Sequence, residues 1–63
     1  MEAIDILLNF LNVEVRLSLK DGRALRGRFI SPITKDTLIK GWVFISEEKK
    51  FQIPIEEVES IMK

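Results

Sequence analysis

The sequence predicts a small all-β domain: a short N-terminal helix followed by a five-stranded, strongly bent open barrel. Three observations carry this. Residues 13–20 alternate apolar and polar side chains for a full eight positions. Further short apolar runs follow, separated by turn-forming or charged pairs. The chain has 63 residues and no cysteine or histidine, so neither disulfides nor an ordinary zinc site can supplement so small a core. One domain spans 1–63, with the helix over about 3–11 and the barrel over about 13–62.

In the opening segment Ile4, Leu7, Leu8 and Leu11 follow the spacing of one helical face. Glu2 and Asp5 stand where the helix dipole favours acids, and Asn12 can take the left-handed conformation that ends a helix. So short a helix is not stable alone, so this face is expected to pack on the barrel.

The first strand places Val13, Val15, Leu17 and Leu19 on one side and Glu14, Arg16, Ser18 and Lys20 on the other. Residues that face each other across a hairpin share a side, so a loop of odd length is required here. A three-residue loop Lys20-Asp21-Gly22 with Gly22 left-handed meets that condition. Leu17 then opposes Leu25, and Val15 opposes Gly27. A core-side glycine on a strand signals a bend or a close backbone approach. The second strand carries Leu25, Gly27, Phe29 and Ile33 on one side, and Pro32 limits its outer part.

Thr34-Lys35-Asp36 read as the next turn. In the third strand, 37–45, the facing is open: Ile39, Gly41, Val43 and Ile45 form one side, Leu38, Lys40, Trp42 and Phe44 the other. Glu47-Glu48-Lys49-Lys50 form a charged hairpin tip. Phe51, Ile53 and Ile55 alternate on a fourth strand, where Pro54 implies an edge or an end. Glu56-Glu57 make a tight connection to a fifth strand, Val58 to Met62.

Catalysis has few groups to work with. There is no His, Cys or Tyr, the four serines lack an evident base, and the three glycines form no phosphate-binding loop. The chain reads as a binding protein, not an enzyme, with no cofactor and no metal. No secretory signal is visible and the apolar opening is too short to span a bilayer, so the expected location is the cytoplasm.

The net charge is zero, but residues 14–40 hold seven basic side chains against three acids, a local net of +4. Arg16, Arg26 and Arg28 fall on one outward stripe that Lys40 extends, a candidate for phosphate contacts. Trp42 and Phe44 are candidates for stacking on a base or a partner; the alternative is that they belong to the core or to a subunit interface, as large aromatics mostly do.

The stretch Val15-Arg16-Leu17-Ser18-Leu19-Lys20-Asp21-Gly22-Arg23, continued by Leu25-Arg26-Gly27-Arg28-Phe29, resembles the first motif of the Sm-like family, which includes the Sm and Lsm proteins and bacterial Hfq. Leu38 matches the family's next buried leucine, and Ile53 to Ile61 would cover the second motif. The resemblance implies a homo-oligomeric ring of about six or seven subunits that binds single-stranded RNA. Independently of it, the short, apolar fourth and fifth strands would leave unpaired backbone edges, which pairing the fourth strand of one copy with the fifth of the next would satisfy, with Phe51, Ile53, Ile55, Val58 and Ile61 at the subunit interface.

Family members that bind uridine-rich RNA carry an aspartate, a ring and an asparagine where this chain has Ile33, Lys35 and Thr37. Their Arg-Gly pair is Pro54-Ile55 here. The expected nucleic-acid contacts are therefore Arg26, Arg28, Lys35, Thr37 and Lys40, with altered or weak specificity. The alternative is a self-assembling protein-interaction or scaffold module of the same fold without RNA binding. The charge around the ring pore separates the two.

Overall fold

Alternation, tight turns and glycines together produce one antiparallel sheet, folded over a single core. The computed structural model describes residues 2–63. A helix, α1 (Ala3–Asn9), precedes β1 (Val15–Leu19), β2 (Ala24–Lys35), β3 (Leu38–Ser46), β4 (Lys49–Pro54) and β5 (Val58–Met62), with one 3-10 turn, Ile55–Glu57, before β5. The strand order is β4-β3-β2-β1-β5, an open sheet with β4 and β5 at its edges.

The β1–β2 hairpin has the register expected: Leu17 opposes Leu25 and Val15 opposes Gly27. Val15, Leu17 and Leu19 are buried, and Gly22 has φ +96°. Asp21 stiffens this loop by accepting the Arg23 backbone N–H at 3.0 Å and the Arg23 Nε–H at 2.8 Å. The backbone hydrogen bond, and after it the guanidinium, hold the Asp21 carboxyl below the usual aspartate range. A lowered acid stabilises the fold above its unfolded-state value, and that contribution fades as pH falls through the folded-state value. Carboxyl NMR titration is expected to find Asp21 below an ordinary aspartate. Arg23→Ala should move it only part of the way back, because the backbone bond survives.

The bend comes from β2. Its first part, up to Gly27, pairs with β1, and from Arg28 onward it pairs with β3. Side chains from both halves meet in one cluster: Val15, Leu17, Leu19 and Val58 from one side, Phe29, Trp42, Phe44 and Ile53 from the other, with Ile6 of α1. Phe29 stands edge-on to Trp42 (centroids 6.1 Å apart) and to Phe44 (4.9 Å). Ser46 Oγ donates to the Arg26 carbonyl at 2.7 Å, tying β3 to β2 beside the bend.

Two register shifts decide the facing of β2 and β3. One leaves Ile30 as an extra residue on β2, the other leaves Lys40 as an extra residue on β3. The first moves Ile33 off the side of Phe29. It opposes Gly41, while Pro32 opposes Trp42. Nor does Pro32 limit the strand: β2 has left β1 by that point, so a missing N–H interrupts no ladder on that side. The second shift lets Ile39 join the core although Trp42 and Phe44 are buried from the opposite parity.

The turn after β2 is Asp36-Thr37, not Thr34-Lys35-Asp36. Both residues have positive φ, 53° and 65°, as a two-residue turn between Lys35 and Leu38 requires. Glu47 and Glu48 form the same kind of turn. Leu38 is 57% exposed at the strand's beginning and fills no buried position.

The helix ends at Asn9, two residues early, and Asn12 takes φ 57° while its N–H donates to the Phe29 carbonyl at 2.8 Å. Its predicted face is not the one that packs. Ile6 is buried and Phe10 rests on the core, whereas Ile4, Leu7, Leu8 and Leu11 are exposed. The anchor is the Trp42 Nε1–H, which donates to the Ala3 carbonyl at 3.2 Å and turns Ile6 inward.

Candidate nucleic-acid interface

The outward face of the sheet is built by the side chains that the core leaves out. In β1 and β2 these are Arg16, Arg26 and Arg28, all exposed, with Arg16 directly opposite Arg26. Like charges face to face across a ladder repel, so an anion between them would be favoured. The row continues across the sheet: Arg28 opposes Ile45, and Ile45 opposes Lys50. Lys50 was not singled out in the sequence. Its place follows from the two-residue Glu47-Glu48 turn, which sets the β3–β4 register.

The cations do not stand alone. Glu14 approaches Arg26 at 3.9 Å, an open, solvent-exposed pair of little energetic weight. Glu14, Glu47 and Glu48 line one shallow hollow with Arg26, Gly27, Arg28 and Ile45.

The remaining candidates sit elsewhere. Lys35 and Thr37 are at the β2–β3 hairpin tip, with Lys40 just beyond it, all exposed. Lys35 is seven residues along β2 from Arg28, which at about 3.3 Å per residue separates them by up to roughly 23 Å of strand. Arg26 and Arg28 therefore form one group and Lys35, Thr37 and Lys40 another. Lys40 borders a groove of ≈ 460 Å³ with Ile33, Gly41, Gln52, Pro54 and Glu56. The β3–β4 pairing brings Gln52 and Pro54 to this groove, and the 3-10 turn that follows brings Glu56, which the sequence places only in a tight connection. The Thr37 hydroxyl is occupied locally, donating to the Asp36 carbonyl at 2.6 Å.

Trp42 and Phe44 are not stacking platforms: both are fully buried around Phe29, and this apolar contact outweighs any surface role. Ile53 and Val58 are likewise buried in the core, and Phe51, Ile55 and Ile61 pack partly against it. What β4 and β5 leave unpaired at the sides of the sheet is one backbone edge each.

Among the described residues, every buried side-chain polar atom has a hydrogen-bond partner, no acidic, histidine or cysteine cluster could hold a metal ion, and no helix is long and apolar enough to cross a membrane. No protein family, no curated protein and no solved structure matches the chain.

Proposed function

We propose that this chain is a self-assembling binding protein of the Sm-like type, a closed ring of about six or seven copies that binds single-stranded RNA through phosphate contacts with weak or altered base specificity. The observation that carries the reading is the placement of β4 and β5 at opposite edges of an open sheet. An unpaired edge is an aggregation hazard, and these two are of similar length, six and five residues. Antiparallel pairing of β4 in one copy with β5 in the next satisfies both, and such head-to-tail contacts close into rings when the rotation permits. Pro54 lies at the last position of β4, where its missing N–H costs the new ladder least.

RNA in this reading lies across the two basic groups. Arg26 and Arg28 hold phosphates on the mid-sheet face, and Lys35 and Lys40 hold them near the hairpin end. The second reading is a scaffold of the same kind without RNA, which would place the protein in the cytoplasm equally well. The glutamates beside Arg26 and Arg28 and the burial of Trp42 and Phe44 favour it, since they remove net charge and stacking rings alike.

Sedimentation at micromolar concentration, followed by native mass spectrometry with oligouridine and oligoadenine, tests both. The expected species holds six or seven chains of 7.3 kDa, and a sole monomer would remove the ring. With RNA bound, Arg26→Ala and Lys35→Ala should each weaken affinity and flatten its salt dependence. A ring that ignores both oligonucleotides selects the scaffold reading.

A further inference from the structure

The groove over β2, β3 and β4 holds charges that the rest of the chain leaves unpaired. Ile33 and Pro54 oppose Gly41 from either side, so an apolar wall stands on each flank of a position without a side chain. The two walls belong to strands two apart, about 10 Å, which leaves a slot for one planar ring. Three polar side chains complete the lining. Gln52 lies two residues before Pro54 on β4, and Glu56 follows in the 3-10 turn. Lys40 is the extra residue of β3, without a partner in either ladder. Lys40 and Glu56 carry opposite charges in one groove, yet they do not pair: the ion pairs among the described residues are Arg23–Asp21 and Arg26–Glu14. Glu2, which shares a second hollow with Lys40, does not pair with it either. The groove's volume, ≈ 460 Å³, is that of a small-molecule site.

We propose that this groove reads the base of a bound nucleotide and selects bases that carry an amino group, guanine above all, over uracil. This selectivity rests on the RNA reading above and gives it a base preference. The Glu56 carboxylate offers acceptors only, and the Lys40 ammonium donors only. Guanine turns its N1–H and its 2-amino group to one side, two neighbouring donors for the two carboxylate oxygens. Adenine and cytosine offer one amino group each. Uracil offers a single N–H between two carbonyl oxygens, and a carboxylate repels both oxygens. Gln52, donor and acceptor at once, serves any base edge and does not discriminate. Lys40, out of ion-pair reach of Glu56, takes the phosphate, so the two charges meet different parts of one ligand. Ile33 and Pro54 hold the ring by apolar contact, in place of the aromatic stacking that the buried Trp42 and Phe44 cannot give.

Chemical-shift titration of the full chain with the four nucleoside 5′-monophosphates is the test. Guanosine monophosphate should bind ~5-fold tighter than uridine monophosphate, the lower end for a paired hydrogen bond because the groove is open to water. Adenosine and cytidine monophosphates should fall between, and the shifts should centre on Gly41 and Gln52. Glu56→Gln should erase the preference, and Lys40→Ala should weaken all four ligands alike. Both side chains are exposed, so both variants keep the fold. Uridine monophosphate bound as tightly as guanosine monophosphate, a preference that survives Glu56→Gln, or shifts with none of the four overturns the selectivity. Native mass spectrometry with oligouridine, oligocytidine and oligoadenine separates that failure from failure of the RNA reading. Strands bound alike whatever the base overturn the base preference and leave RNA binding standing, and no strand bound removes both.

Discussion

Replacing Gly27 with alanine is expected to abolish the folded state. A Cβ there would fall on the Ile45 carbonyl oxygen, with the Ile45 carbonyl carbon at 2.9 Å and the Phe44 ring at 3.1 Å. The obstruction is backbone, so no rotamer change relieves it. Gly27 is also where β2 passes from β1 to β3, so moving the strands apart would open the bend that closes the core. Single substitutions that cost more than about 4–5 kcal/mol come from few mechanisms, and an irremovable clash at a bend is among them. A domain of this size has only about 3–5 kcal/mol to lose. The control is Gly22→Ala. Gly22 has open space around it and only its φ of +96° to protect, so the cost should be about 1 kcal/mol and the melting temperature should fall by roughly 4–8 °C. Thermal melting followed by circular dichroism compares the two. A Gly27→Ala protein that melts as close to wild type as Gly22→Ala would show that the strands do not approach so closely.

Phe29→Ala should be nearly as severe. Phe29 has no exposed surface and contacts Trp42 and Phe44 edge-on, so its removal leaves a cavity between the two halves of the sheet. Truncating a buried phenylalanine costs about 3–5 kcal/mol, its aromatic contacts included. That reaches the whole stability of a domain this small. Chemical denaturation should show no cooperative transition for Phe29→Ala. Phe29→Leu, which refills most of the space, should keep one with a lower midpoint. A cooperative Phe29→Ala transition displaced by less than about 2 kcal/mol would mean that the aromatic cluster does not hold the halves together.

The contrast between these residues shows what could be read in advance. The position of Gly27 opposite Val15 follows from counting: alternation assigns the faces, parity demands a loop of odd length, and Lys20-Asp21-Gly22 is the short loop that meets it. What its Cβ would strike could not be counted, because Ile45 is distant in sequence and its approach depends on the bend itself. The same division holds in the candidate interface. That Arg16, Arg26 and Arg28 share a face is a consequence of period two. That Lys35 and Lys40 belong to a separate group, and that Lys50, Gln52 and Glu56 join the outward surface, depends on pairings further along the sheet.

The sequence by itself determined the local elements: the alternating first strand, the left-handed Gly22, the hairpin register and the limits of the fifth strand. Each rests on short-range stereochemistry, where side-chain period and turn geometry admit one solution. Only the tertiary structure decided which way β2 and β3 face, which helix side is buried and whether the aromatics are core or surface. One extra residue in a ladder reverses every later side chain, and nothing local forbids it. Ile30 and Lys40 were placed in their bulges by the packing of Phe29, Trp42 and Phe44, and the Trp42 hydrogen bond to Ala3 turned Ile6, not Leu8, towards the core.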